Sequence, residues 1–212
     1  PNPDGLAQAF ILAEDFLEGS PSALILGDNI FFGNGFSQLL AKANYRSSGA
    51  TVFGYHVSDP KNYGIAGFAA DGGINSIIEK PANPLSSFAV TGLYFVDGTA
   101  PERARNVKPS GRGELEITCV LKSYLEERDL GFEKMGRGFA WLDTGTHDTL
   151  LDAGNFVRTL TERQGLQTGS PDEVAYQLKW INETQLRARA QKFGKNKIGE
   201  YLLSAIKPKG NN

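Results

Sequence analysis

The chain has 212 residues, 22 basic against 24 acidic side chains, and a net charge of −2. With 40% hydrophobic and 10% aromatic residues it can bury a sizeable core, which excludes a disordered chain. The near-neutral balance excludes a general nucleic-acid or anionic-membrane binder. No apolar run reaches the roughly 18 residues of a membrane helix. The single cysteine, Cys119, excludes a disulfide scaffold and fits a reducing, cytoplasmic compartment.

The opening Pro1-Asn2-Pro3-Asp4-Gly5 reads as the middle of a loop, with no charged-then-apolar leader. The spacing of Leu6, Ala9, Phe10, Ala13, Phe16 and Leu17 predicts a helix over 5–18, capped by Asp4 and ended by Pro21. Ala23-Leu24-Ile25-Leu26 is apolar on both faces, the pattern of a strand buried between neighbours in a parallel sheet. It breaks at Gly27-Asp28-Asn29. A helix is expected over 36–46 and a strand over 51–57. Short strands at 64–69 and 73–78 join through a hairpin at Asp71-Gly72-Gly73, and a long strand covers 88–96. Helices are expected over 114–127 and 147–163, with a short strand near 132–135 between them. From 170 the texture becomes helical. Ser170-Pro171-Asp172-Glu173 and Asn182-Glu183-Thr184-Gln185 both read as capping boxes, and Ile198, Tyr201, Leu202, Ala205 and Ile206 mark a last amphipathic helix. Pro208 to Asn212 is expected to fray. The division is therefore an α/β core over 1–165 and a helical tail over 166–212.

Several positions carry candidate chemistry. Asp28 stands past the carboxyl end of an apolar strand, where open α/β sheets bind ligands and where a carboxylate can hold Mg²⁺; a plain Asx turn explains it as well. Asp143 ends the short apolar stretch Trp141-Leu142, with Thr146 placed to cap the next helix. Two carboxylates at the ends of apolar elements are what a metal-bridged phosphate site needs. Glu79-Lys80 closes a strand. Lys suits a phosphate and Glu suits sugar hydroxyls, although regular alternation sends the two side chains to opposite faces. Gly64 allows close backbone approach, and Gly92, inside the long strand, marks a bulge or a close neighbour. Glu114 and Glu116 are read as first-turn acids that complement a helix dipole, Cys119 as a small packer, and neither His56 nor His147 has a partner at a metal or triad spacing.

The stretches P-D-G-L-A-Q-A-F, L-G-D-N-I-F, Y-G, E-K-P, V-T-G-L-Y-F, R-G-E-L-E-I-T, G-R-G-F-A-W-L-D-T-G-T and E-R-Q-G-L occur in the order seen in glucose-1-phosphate thymidylyltransferases, and the chain resembles that family over essentially its whole length. The resemblance implies a Rossmann-like mixed sheet of the nucleotidyltransferase type with a C-terminal helical tail. It implies transfer of a thymidylyl group from dTTP to glucose 1-phosphate, giving dTDP-glucose and pyrophosphate, in dTDP-sugar (for example dTDP-rhamnose) biosynthesis by a homotetramer. Asp28 and Asp143 would bind Mg²⁺. Asn29 would lie beside the sugar or nucleotide and Gly5 near the thymine. Tyr63, Gly64, Glu79, Val90 and Tyr94 would line the hexose pocket, Lys80 would hold the sugar phosphate, and Trp141 would pack nearby. A second dTDP-sugar site for feedback control would draw on Gly33, Gly136, Arg137, Glu173 and Val174.

The sequence also departs from the family pattern. The Gly-rich loop G-G-x-G-T-R-L-x-P and the Lys that follows it are not in these residues, which implies a fold cut at its N-terminal side. On its own such a chain is expected to be inactive, with a bare edge at strand 23–26, or to act as a sugar-nucleotide-binding module. Another sugar-1-phosphate nucleotidyltransferase, or a metal-dependent glycosyltransferase, is an alternative reading. The latter usually carries Asp-x-Asp where this chain has Gly27-Asp28-Asn29. Cys119 stands where the family usually has Asp, Gln177 where Arg is common, and Phe32 where Tyr is frequent.

Overall fold

The computed structural model describes residues 2–194 and 196–206, which fall into two compact units, 1–143 and 144–212. The expected fraying of Pro208 to Asn212 lies outside the described residues. The sequence texture changes at 165–170, whereas the second unit begins before the long helix that starts at His147.

The first unit is an α/β sandwich. In chain order it holds α1 (Gln8–Leu12), α2 (Glu14–Leu17), β1 (Ser22–Ile25), β2 (Asn29–Phe32), α3 (Phe36–Asn44), β3 (Ala50–His56), β4 (Gly64–Phe68), β5 (Ile74–Glu79), β6 (Phe88–Val96), α4 (Ala100–Arg105), α5 (Ile117–Glu126), β7 (Leu130–Met135) and β8 (Ala140–Asp143). The main sheet runs β5-β4-β6-β3-β7, with β1 also paired to β6, and β2 and β8 form a separate antiparallel ribbon. β3 and β7 are parallel and the remaining pairs are antiparallel, so the sheet is mixed as the sequence implied. Alternation along the strands builds a core on each face. Val52, Val90, Tyr94 and Val96 meet Phe10, Ala100, Ala104, Val120, Leu121 and Tyr124 of the helices on one side. Phe53 and Leu93 meet Ala43, with Phe36 and Leu39 of α3, on the other.

β6 organises the cleft. One of its edges pairs with β3. The other is shared, β1 taking residues 93–96 and β4 touching it at Ala89. Against β3 the register also slips: Val52 faces Tyr94 and Gly54 faces Val90, so Phe53 stands opposite the three residues 91–93. This bulge turns the Gly92 backbone away from β3. Its N–H donates to Asn29 Oδ1 (3.1 Å) and its carbonyl accepts from the Leu26 N–H (2.9 Å).

Four local expectations are corrected. The first helix is two short ones, broken at Ala13. Asp4 does not cap it: its carboxylate accepts from the Gln8 side chain while its own N–H donates back to Gln8. Residues 23–26 are not a buried parallel strand. β1 is antiparallel to β6 and alternates in burial, with Ile25 57% exposed, and β6 is its sheet neighbour among the described residues. The helix expected from 114 starts at Ile117, so Glu114 and Glu116 are not in its first turn. Ser170 makes no side-chain cap bond. Its expected partner Glu173 accepts instead from Gln177 and Tyr201.

The second unit holds α6 (His147–Gln164), α7 (Pro171–Gln177), α8 (Glu183–Lys192) and α9 (Lys197–Ile206). Thr146 caps α6 as expected, and Asn182 and Gln185 form the expected capping box of α8. Leu186, Ala190 and Leu202 are its buried centre. Among the described residues, no helix is long and apolar enough to cross a membrane.

The bulge makes two neighbouring substitutions differ in sign. Gly92→Ala would place a Cβ 2.6 Å from Asn29 Oδ1 and 2.7 Å from Leu26, and is expected to destabilise by about 1–3 kcal/mol. Thr91 is fully buried and its hydroxyl has no hydrogen-bond partner among the described residues, so Thr91→Val is expected to stabilise by about 1 kcal/mol. Urea unfolding of both variants measures the contrast, and two shifts of the same sign would contradict it.

Candidate active site

Where β6 changes partners, a cleft of about 270 Å³ opens. Its walls bring together Asp28, Asn29, Tyr63, Gly64, Glu79, Lys80, Val90, Tyr94, Trp141 and Asp143, ten of the positions singled out in the sequence. Gly5 is not part of this lining. It has φ 121° and lies against the Leu115 backbone, while the next residue, Leu6, reaches the cleft.

The β2–β8 ribbon joins the two aspartates. Asn29 pairs with Asp143 in register, which brings Asp28, one residue earlier, to the same end of the ribbon. Asn29 fixes the local geometry. Its Oδ1 accepts from the Gly92 N–H and from Trp141 Nε1 (2.6 Å), and its Nδ2 donates to Asp28 Oδ1 (2.7 Å). With both oxygen lone pairs used, the amide has one orientation. Trp141 is further braced by edge-on contact with Tyr55 (ring centroids 5.9 Å) and a tilted contact with Tyr63 (5.2 Å). Burial, and then the charges of Asp143 and Asp59, push the Tyr63 hydroxyl above its ordinary pKa, so it stays a donor.

The β4–β5 hairpin supplies the opposite wall. Gly64 faces Glu79 in register, and the Lys80 N–H donates to the Tyr63 carbonyl (3.0 Å). β5 ends at Glu79, and Lys80 adopts φ 41°, in the left-handed region. The strand thus stops alternating where Glu79 and Lys80 must share a cleft. At Gly64 a Cβ would lie 2.9 Å from Thr118 and 3.2 Å from Glu79, so glycine leaves room at the floor. Burial raises the Glu79 carboxyl above the usual range, and the charge of Glu116 raises it further, against the opposing effects of Arg112, Lys80 and Thr118.

Sequence reasoning missed the third wall. Arg112, Glu114, Glu116, Ile117 and Thr118 all line the cleft. Instead of serving a helix dipole, Glu116 is buried, and its carboxylate accepts from Ser110 Oγ (2.7 Å) and from Arg112 Nε and Nη2. Burial pushes this carboxyl up, but the Ser110 and Arg112 bonds outweigh it and hold it below the ordinary range. The available signal is R-G-E-L-E-I-T, in which the sequence reading gives Glu114 and Glu116 only a structural role.

The donor set bears on a metal. Among the described residues no cluster of three or more His, Cys, Asp or Glu could hold one. Two carboxylates at one end of a ribbon are too few for a cage. They fit a hard cation that keeps water and takes ligand oxygens, as Mg²⁺ does.

The five proposed regulatory positions divide between the units. Gly136 and Arg137 line a depression of about 530 Å³ with Tyr55, His56 and Phe139, and Gly33 lies directly under the Phe139 ring. In the helical unit Glu173 lines a depression of about 460 Å³ with Tyr176 and Gln177, and Val174 is half exposed.

The nucleotidyl transferase family profile matches residues 1–159. A glucose-1-phosphate thymidylyltransferase of Xanthomonas campestris pv. campestris is 52% identical over 207 residues, covering 98% of this chain and 70% of its own. One from Mycobacterium tuberculosis is 48% identical, covering 96% and 70%. The crystal structure of a Bacillus anthracis protein assigned to the same activity, in complex with a sucrose, superposes with a TM-score of 0.65 at 38% identity over 74% of this chain and 63% of that one. UDP-glucose pyrophosphorylase complexed with UDP-glucose shares the fold, with a TM-score of 0.67 at 20% identity over 75% and 64%.

Two measurements follow from the β5 end. Lys80→Gly is expected to be about 1 kcal/mol more stable than Lys80→Ala, because only glycine relieves the left-handed backbone; equal urea midpoints would contradict this. Because the folded chain binds the Glu79 proton more tightly than the unfolded chain does, stability falls as pH rises from the ordinary carboxylate range through the raised folded value. Glu79→Gln should flatten that slope in melting curves taken across mildly acidic pH, and an unchanged slope would remove the argument.

Proposed function

The chain belongs to the nucleotidyl transferase family, among the glucose-1-phosphate thymidylyltransferases, and we propose that it forms dTDP-glucose and pyrophosphate from dTTP and glucose 1-phosphate. The observation that carries the reading is one cleft in which the carboxylates Asp28 and Asp143 share one end of the β2–β8 ribbon and the cations Lys80 and Arg112 also line the wall, with Glu79, Glu114 and Glu116 beside Arg112. A phosphate-oxygen nucleophile and a triphosphate repel each other. Bringing them together calls for fixed positive charge on one side and a cation site on the other.

In the reaction, a phosphate oxygen of glucose 1-phosphate attacks the α-phosphorus of dTTP. A new P–O bond forms, the α–β bond breaks, and its electrons leave on pyrophosphate. Lys80 and Arg112 hold the sugar phosphate, and Glu79 accepts hydrogen bonds from hexose hydroxyls. Trp141 and Tyr63 give the sugar an aromatic wall, and Val90, Gly92 and Tyr94 form the floor. Asp28 and Asp143 would hold Mg²⁺, which when bound supplies charge neutralisation for the phosphates. Positioning by these side chains converts a bimolecular encounter into a local one. We extend the reading to Gly33, Gly136 and Arg137 in the first unit and, separately, to Glu173 and Val174 in the second as candidate regulatory dTDP-sugar contacts, with Gly5 near the base. A cytoplasmic homo-oligomer serving dTDP-sugar synthesis accords with it.

Calorimetry with dTDP-glucose and glucose 1-phosphate, alongside a pyrophosphate-release assay with dTTP or UTP, tests the reading. Binding of both ligands is expected, with dTTP-dependent release where the Gly-rich segment G-G-x-G-T-R-L-x-P, which these residues lack, is also supplied. Asp28→Asn and Asp143→Asn should each lower release about a hundredfold or more with unchanged melting temperature. Binding without release would make the chain a sugar-nucleotide-binding module, and no binding of either ligand would sink both readings.

A further inference from the structure

We propose that Glu116 is a positioning residue: its buried carboxylate grips the Arg112 guanidinium by one edge and aims the other edge at the phosphate of the sugar substrate. This rests on the sugar-phosphate reading above. Arg112 sits between Gly111 and Gly113. A Cβ added at either glycine would meet nothing, and Gly113 has φ 78°. The loop backbone therefore gives the arginine side chain no wall to rest on. Its backbone is tied through Ser110, whose hydroxyl accepts from the Arg112 N–H (3.2 Å) and whose carbonyl accepts from the Gly113 N–H (2.8 Å).

The guanidinium is held by Glu116. Nε donates to Oε1 (3.2 Å), and Nη2 donates to Oε1 and Oε2 (2.8 and 2.9 Å). Glu79 and Glu114 stand farther off, at 3.6 and 3.4 Å. All these contacts use the Nε/Nη2 side. The Nη1 end takes part in none of them, and the arginine side chain is 41% exposed while that of Glu116 is 9% exposed. A buried carboxylate must keep its cation, and an Arg–carboxylate fork fixes orientation as well as distance. Glu116 can do this because it is the N-cap residue of α5, directly before Ile117 in the core. α5 is anchored in the core by Ile117, Val120 and Leu121, whereas the glycines beside Arg112 pack against nothing, so the salt bridge passes the position of α5 on to Arg112. Lys80, which lines the same cleft, carries the second positive charge.

A purely structural Glu116 would steady the loop 110–116 whatever Arg112 does, so a double-mutant cycle on ligand binding separates the two roles. The probe is glucose 1-phosphate, titrated by calorimetry into the whole chain. Glu116→Gln keeps the volume and the Ser110 bond, and is expected to bind about tenfold more weakly. Arg112→Ala should lose at least as much, and the double variant should be no weaker than Arg112→Ala within about twofold. Parent-like binding by Glu116→Gln, or a double variant showing both losses multiplied, would overturn the proposal. Should Glu116→Gln fail to fold, Arg112→Lys replaces it. It keeps the charge but lacks the fork, so binding as weak as Arg112→Ala is expected and parent-like binding overturns the idea. A parent chain that binds no glucose 1-phosphate would remove the sugar-phosphate reading and this proposal with it. A parent that binds while its variants are unaffected removes the proposal alone.

Discussion

The backbone of Gly92 bonds to the Asn29 side chain and to the end of β1, and both halves of the cleft are placed by those two bonds. β6 is the strand around which the main sheet is assembled, yet it cannot keep a single partner along its length. β1 holds its carboxyl half and β4 touches its amino half. Between them the β3 register slips by two residues on β6, so the strand bulges at 91–93 toward the 26–29 turn. A side chain at 92 would occupy the space of Asn29 and Leu26. Without glycine there, Asn29 could not at once reach the β6 backbone, the Trp141 indole and Asp28. The Asp28 side of the cleft and its aromatic wall are thus joined through one amide.

Charge in the cleft is arranged by burial. Glu79, Glu114 and Glu116 surround Arg112, and of these Glu116 is the buried one with direct bonds to it. Glu116 is therefore held ionised, while burial and the Glu116 charge push Glu79 toward its neutral form. Two carboxylates that are close in space are shifted in opposite directions because one has the guanidinium and a serine hydroxyl, and the other mainly has the low-dielectric wall. Tyr94, deeper in the cleft, is pushed above its ordinary pKa by burial first and then by the Glu79 charge, and stays a donor. The cleft therefore combines tyrosine donors, the cations Lys80 and Arg112, and a Glu79 carboxyl shifted above the usual range.

Much of this was legible in the chain. The strands at 51–57, 64–69, 73–78 and 88–96 and the helices at 36–46 and 147–163 follow from period and turn chemistry, and the structure has them within a few residues. Gly92 was readable as a bulge because glycine inside an apolar strand needs a reason. What could not be read were long-range pairings. Nothing local says that Asn29–Phe32 pairs with Ala140–Asp143, or that β1 lies antiparallel to β6. An apolar four-residue run looks alike in a buried parallel strand and in a half-exposed one, and only the neighbour decides. Glu116 was misread for a related reason. Acids in the first turn of a helix suit its dipole, but residues 110–116 form a loop before α5 in which the Ser110 N–H donates to the Glu114 carbonyl.

The cleft side chains also share a place in the architecture. Asp28 follows β1, Asn29 opens β2, Gly64 opens β4, Glu79 closes β5, Asp143 closes β8 and Glu116 caps α5. Inside a strand, alternation dictates which face a side chain takes. At its end the backbone is released from that rule while the next residues back stay anchored in the sheet. Lys80 shows the release at its extreme, with a left-handed backbone one residue past the last pair. A cleft made from element ends thus combines rigid supports with free choice of direction, and its polar residues need not be buried in the core to be held in place. Its layers then differ in what they can bear. Asp28, Lys80 and Arg112 are exposed, although Arg112 also answers the buried charge of Glu116. Tyr94, Glu116 and Thr118 are buried, and in them the demands of the core and of the cleft coincide.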